Sequence, residues 1–323
     1  MSAAAPVAEL PDLPLEAWEP TRETLHLWAQ IVGKVKLATT TPLNHWWHVA
    51  LHVDVRGLTT RRLHHEGTTF QLDFDVLDHD LVARTSDGRE RRLPLRDGLS
   101  VAAFDAGLHG LLRDLGVDVA LREEPFGTPI SDIPFAQDEA HRAYDAAAVT
   151  RFWRALRWVD RVLTEFAGWS CAKTSPVHLF WHSFDLAVTR FSGARAPERA
   201  GADPVTREAY SHELLSFGFW PGDRAVRFPA FYAYAWPEPE GLTTRPLRPQ
   251  PAAAWQEGPT GSMALLPYDR VRAAADPRAA LLAFLESVYQ AGAEAAGWDR
   301  DALRSSACPS PAVMASEVFG RAG

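Results

Sequence analysis

Apolar and polar positions recur along this chain with two different periods, and each change of period marks an element. From Pro20 to about Lys36, Leu25, Trp28, Val32 and Val35 are spaced by three and four, which builds one apolar face of a helix. Pro42 breaks that helix. From His45 to Arg56 the period is two: Trp47, Val49, Leu51, Val53 and Val55 point one way, and His48, Ala50, His52 and Asp54 the other, as on a strand with one polar face. Phe70, Leu72, Phe74 and Val76 alternate with Gln71, Asp73 and Asp75. Ser86-Asp87-Gly88 joins two further extended stretches with hairpin chemistry, so the sheet is expected to be antiparallel. Helical spacing returns from Ser100 to Leu115, with Ser100 as N-cap and Gly116 as the stop.

No sustained period runs through the Pro-containing stretch between about Arg122 and Asp145, which reads as a connection. Asp145 then caps a helix to about Ala167. Extended runs follow at Val177 to Phe191 and Phe228 to Trp236, then a Pro-rich loop from Pro237 to about Pro259. The closing helix opens on Asp276-Pro277, an N-cap followed by Pro at the first helical position, and stops at Gly297. The expected organisation is a lead-in at 1–19, a first α/β unit at 20–121, a connection at 122–145, a second unit at 146–298 and a tail at 299–323.

The two halves resemble each other. A shift of 134 residues lays Thr41-Pro42-Leu43-Asn44-His45-Trp46-Trp47-His48 on Ser175-Pro176-Val177-His178-Leu179-Phe180-Trp181-His182 without a gap, matching Pro42 to Pro176, Trp47 to Trp181 and His48 to His182. The same shift places Leu25, Trp28, Val32 and Val35 on Val159, Val162, Phe166 and Trp169. The fold expected is therefore α/β of the α+β type: two related α-β-α units, arisen by internal duplication, with mainly antiparallel sheets covered by helices. A helix-Pro-strand junction used twice without common ancestry is the alternative.

These positions also carry a family resemblance. The runs Leu25-His26-Leu27-Trp28, Asn44-His45-Trp46-Trp47, Arg56-Gly57-Leu58-Thr59, Ser183-Phe184-Asp185-Leu186-Ala187-Val188-Thr189-Arg190 and Tyr210-Ser211-His212-Glu213 resemble those of the bacterial domain of unknown function 5996 family, from about Leu13 to Arg300. The resemblance implies no activity and no functional residue. At His182 the sequence departs from a family position that is often Gly.

Composition narrows the partners. The formal charge of −8 and pI near 5.8 argue against a surface that neutralises phosphates, so nucleic acid is not an expected partner. Apolar runs fall short of the roughly 20 residues of a membrane helix, and Met1 to Pro6 has no export pattern. Two cysteines, Cys171 and Cys308, are too few for a disulfide framework, so a cytoplasmic setting is expected. Oligomeric state is not legible.

Candidate chemistry concentrates in the second half. Dinucleotide, phosphate-loop and nucleophile-elbow signatures are absent, as are HExxH and Cys-pair metal motifs. Alternation along Val177 to Phe191 puts His178, His182 and Arg190 on one strand face and Asp185 on the other. With Tyr210, His212 and Glu213 nearby in sequence, this predicts a small-molecule pocket. His178, Tyr210, His212 and Glu213 are its catalytic candidates, and Arg190, Asn44, Trp46 and Trp181 its ligand contacts. Each of these could instead satisfy a buried hydrogen bond. No cofactor is expected. His178 with His182, or His48 with His52, would be roughly 13 Å apart on a strand, too far to share a metal ion. The choice is between a ligand-binding protein or enzyme and a non-catalytic scaffold that exposes aromatic faces.

Overall fold

Two antiparallel sheets and six helices make up the described part of the chain, an α+β architecture. The structure is a computed structural model and describes residues 10–258, 261–306 and 308. The start of the lead-in, the end of the Pro-rich loop at Pro259 and most of the C-terminal tail lie outside the described residues. The chain divides into two compact units.

Among the described residues, the first unit holds 10–43, 47–157 and 178–185. It opens with α1 (Glu19–Thr39) and continues through β1 (His52–Asp54), β2 (Gly57–Thr59), β3 (Leu63–His65), β4 (Thr68–Asp75), β5 (Asp80–Thr85) and β6 (Glu90–Pro94). The strands run in the order β1-β2-β4-β5-β6, with β3 paired to β4, all antiparallel. Next come α2 (Val101–Asp114), the first part of α3 (Ala146–Gly168) and β7 (His178–Phe180). Ser100 Oγ accepts from Ala103 N at the start of α2, and Gly116 (φ +75°) follows its end, as the sequence predicts. Asp145 likewise caps α3 through Ala147 N and Ala148 N. The core joins α1, α2 and β4: the Trp28 ring stacks on Phe104 at 4.9 Å, and Phe104 on Phe74 at 6.2 Å. Such pairs add about 0.5–1.5 kcal/mol each beyond the area they bury.

Among the described residues, the second unit holds 44–46, 158–177, 186–258, 261–306 and 308. It contains β8 (Asp185–Arg195), α4 (Pro204–Ala209), β9 (His212–Trp220), β10 (Ala230–Trp236), β11 (Ala254–Gly258), β12 (Gly261–Pro267), α5 (Tyr268–Arg272) and α6 (Pro277–Ala295). Its strands follow the order β11-β12-β10-β9-β8, again antiparallel. Asp276 accepts from Ala279 N at the start of α6. That helix approaches β9 closely because Gly292 has no Cβ; one placed there would lie 2.4 Å from a Leu215 methyl.

Several sequence expectations need correction. The strand expected over His45 to Arg56 is confined to His52–Asp54, because His45 and Trp46 adopt φ +55° and +60°, which no pleated strand accommodates. Val177 to Phe191 is not one strand either. It breaks at Trp181 to Phe184, where Phe184 (φ +59°) returns its N–H to Phe180 O, so alternation cannot be carried from His178 through His182 to Arg190. The Pro-rich loop contains β11. Under the 134-residue shift, Leu25, Trp28, Val32 and Val35 and their counterparts Val159, Val162, Phe166 and Trp169 are all buried. Trp181 is buried and Trp47 half-buried. The strand part differs, since Asn44–Trp46 forms a 3-10 turn where His178–Phe180 is extended.

Candidate functional site

Lys36 occupies the inner side of α1, where a lysine is least expected. It lies four residues after Val32, on the buried stripe, and is 4% exposed. Its ammonium donates to Ala50 O. No carboxylate lies within ion-pair distance of it among the described residues. Burial, helped by the Arg61 charge, lowers its pKa to about 7.

Strand β7 adds a second buried base to this environment. Leu179 exchanges both backbone hydrogen bonds with Leu51, each at 2.8 Å, which brings His178 beside His52 with ring centroids 6.2 Å apart. His178 is 1% exposed, and its Nδ1 has no hydrogen-bond partner. Burial first, then the Lys36 and Arg61 charges, hold its pKa near 3, so it is neutral at physiological pH. His52 is buried too. Arg61 is exposed and has φ +57°; its N–H donates to Thr59 Oγ1 and its carbonyl accepts from Thr60 Oγ1. A non-glycine residue in the left-handed region costs of order 1 kcal/mol or more, and here two hydroxyls hold it. Two cationic groups, exposed Arg61 and buried Lys36, thus act on neutral, buried His178.

The segment behind β7 is anchored to α1. The Trp181 ring lies against Gly33, where a Cβ would come within 2.3 Å of it, and Trp181 Nε1 donates to Val49 O. One face of His26 stacks on Phe184 at 4.9 Å, and His26 Nε2 bonds His182 O. Trp181 is therefore a wedge that sets the height of β7 over α1. A separate cavity of about 420 Å³ in this unit is lined by Glu23, Thr24, Asp97, His141 and Arg142, among others. Its charges are mixed, with His141 held by Asp138 and Asp97 accepting from Tyr144 N. Lys36 is instead 4% exposed and faces no acidic group within ion-pair distance among the described residues, so the Lys36 group is the stronger candidate.

His178 falls in the first unit and the other predicted catalytic residues in the second, where each has its own partners. Arg190 is 2% exposed, sandwiched between the Phe166 ring at 3.5 Å and the Tyr289 ring at 4.6 Å, and donates to Phe166 O. Burial lowers its pKa to about 10 although Glu286 opposes the shift. Tyr210 bonds Tyr234 through the hydroxyls at 2.9 Å. Glu213 accepts from Ser192 Oγ and Trp298 Nε1. His212 bonds Ser211 Oγ and meets the His45 ring edge-on at 5.5 Å. Asn44 is exposed and Trp46 half-buried in the 3-10 turn.

The family resemblance holds over nearly the whole chain: the sequence profile of a family of unknown function, DUF5996, matches residues 10–305. The chain belongs to this family. Comparison with curated proteins and with solved structures yields no match. For this DUF5996 protein the chemistry therefore rests on its own residues. No helix among the described residues is long and apolar enough to cross a membrane.

Sequence reasoning missed Lys36 and Arg61. The spacing Val32 to Lys36 was a visible signal, a charge on the apolar stripe of α1. Arg61 gave none, because its left-handed backbone and its influence on Lys36 exist only in the fold.

Proposed function

We propose that this DUF5996 protein binds a small anionic metabolite at Lys36, Arg61, His178 and His52. The supporting observation is a lysine that is 4% exposed with no carboxylate within ion-pair distance among the described residues. A buried charge is retained when something pairs with it, and a ligand phosphate or carboxylate would supply the missing partner. Arg61, exposed at the outer end, offers the planar fork that such groups favour. Neutral His178 would add a hydrogen bond rather than charge, and the His52 ring stands beside it.

The group in the second unit is the weaker candidate, because rings cover both faces of the Arg190 guanidinium and one of its N–H groups already donates to Phe166 O. A cytoplasmic metabolite fits a chain whose two cysteines are free thiols.

The test is thermal stability with inorganic phosphate, succinate and a nucleoside monophosphate, against chloride at equal ionic strength, at pH 6.5 and 8.5. A saturable rise that is larger at pH 6.5, lost in Lys36→Met and weakened in Arg61→Gln, is expected. If no anion exceeds chloride, or if Lys36→Met responds like the wild type, ligand binding at this site is wrong and a non-catalytic interaction role takes its place.

A further inference from the structure

Three side chains of the first unit, away from Lys36, converge without a hydrogen-bonding reason. Asp105 and His109 stand four apart on α2 and so share one face of the helix, with Asp105 Oδ1 3.8 Å from His109 Nε2, beyond hydrogen-bond distance. Glu123 reaches them from the connection after α2, its backbone carbonyl fixed by the Phe135 amide at 2.8 Å. One ligand atom from each of the three lies within 4.8 Å of the others.

These groups are not a solvated acidic face. The Asp105 side chain is 8% exposed, and its only polar contact among the described residues is the long one to His109. Glu123 Oε2 is buried with no hydrogen-bond partner. Removing a carboxylate oxygen from water without a donor costs about 1–3 kcal/mol or more, so the orphaned Glu123 oxygen, beside the 8%-exposed Asp105 carboxylate and one imidazole, calls for an electropositive partner. Lys34 on α1 is the nearest alternative: it is 8% exposed and acts electrostatically on Glu123 and Glu124. Its ammonium lies instead over the Phe135 ring, 5.5 Å from the centroid, and makes no ion pair within 4.0 Å among the described residues.

We propose that Asp105, His109 and Glu123 form a binding site for a divalent first-row transition cation. Two carboxylates and one imidazole on one side of an ion suit zinc, manganese or ferrous iron and leave positions open for water or a ligand. Metal–ligand bonds of about 2.0–2.2 Å place ligand atoms roughly 3 Å apart. Closing from the present separations requires shifts of about 1–2 Å, within rotamer reach of Glu123.

The experiment uses the full chain after chelator treatment and dialysis. Titration calorimetry and melting curves are recorded with zinc chloride and manganese chloride, with calcium chloride as the hard-cation control. Electron paramagnetic resonance of bound manganese reports the ion itself. One saturable site is expected for zinc or manganese, and Asp105→Asn, His109→Gln and Glu123→Gln should each weaken it at least about tenfold. Circular dichroism establishes that each variant is folded. Absence of saturable binding by both metals, or unchanged affinity in a folded Asp105→Asn/Glu123→Gln double variant, overturns the site. Equal destabilisation by Lys34→Met and Glu123→Gln with no metal response also overturns it, and assigns Glu123 to balancing Lys34.

Discussion

Replacing Lys36 with Met removes a buried charge while keeping most of the side-chain volume on α1. Folding lowers the Lys36 pKa from 10.5 to about 7, and at 1.36 kcal/mol per pH unit this is a burial cost of about 5 kcal/mol when the amine is protonated in both states. The substitution also loses the hydrogen bond to Ala50 O, worth about 1.5–3 kcal/mol for a charged donor. The expected net result at pH 6 is a variant more stable by about 2–3 kcal/mol, a rise in Tm of roughly 5–10 °C. Between about pH 7 and 10.5 the unfolded chain holds a proton on Lys36 that the folded chain has released, so wild-type stability rises with pH in that window. The variant lacks this contribution. Its advantage should therefore shrink by about 1.4 kcal/mol per pH unit above pH 7 and vanish near pH 9. Urea unfolding of both proteins at pH 6, 7, 8 and 9 measures it directly. A variant destabilised at pH 6 by more than about 1 kcal/mol, with the wild-type slope above pH 7, would refute both the depressed pKa and the absence of a counter-charge. A more stable variant that no longer binds anions would show stability given up for function, as active sites commonly do.

Burial holds His26 and His178 near pKa 3. Because the unfolded chain takes up these protons near pH 6.5, stability should fall as pH drops from there toward 3, by up to about 5 kcal/mol for each ring. A urea midpoint that stays constant between pH 6.5 and 4.5 would contradict this. Gly33→Ala sets a methyl 2.3 Å from the Trp181 ring, and the overpacking should cost about 1–3 kcal/mol despite the better helix propensity of Ala, read as a lower urea midpoint at unchanged m-value. Arg190→Lys keeps the charge but loses the planar group between Phe166 and Tyr289. A loss of about 2–4 kcal/mol is expected by denaturant melting, and a neutral result would mean that the stacking contributes little.

Local chemistry was legible along the whole chain. Ser100, Asp145 and Asp276 cap the helices that their positions predict, and Gly116 and Gly297 stand with φ +75° and +69° just past helix ends. The antiparallel sheet followed from alternation at Phe70 to Val76 and from the turn at Asp87-Gly88, since periods of two and 3.6 depend only on nearest neighbours in sequence. The reading failed where the backbone leaves those periods. Left-handed residues at His45, Trp46 and Phe184 break two apparently continuous strands, and alternation cannot be carried across a break. The predicted pocket inherited that error, because it carried one face from His178 to Arg190. Tertiary structure alone set β7 against Leu51 and brought His178 to His52 and Lys36, and it alone buried Asp105 beside Glu123. Periodicity records which face of an element is buried. Which charges share that burial depends on contacts far apart in sequence, and a desolvated charge shifts its pKa only through the neighbours the fold supplies.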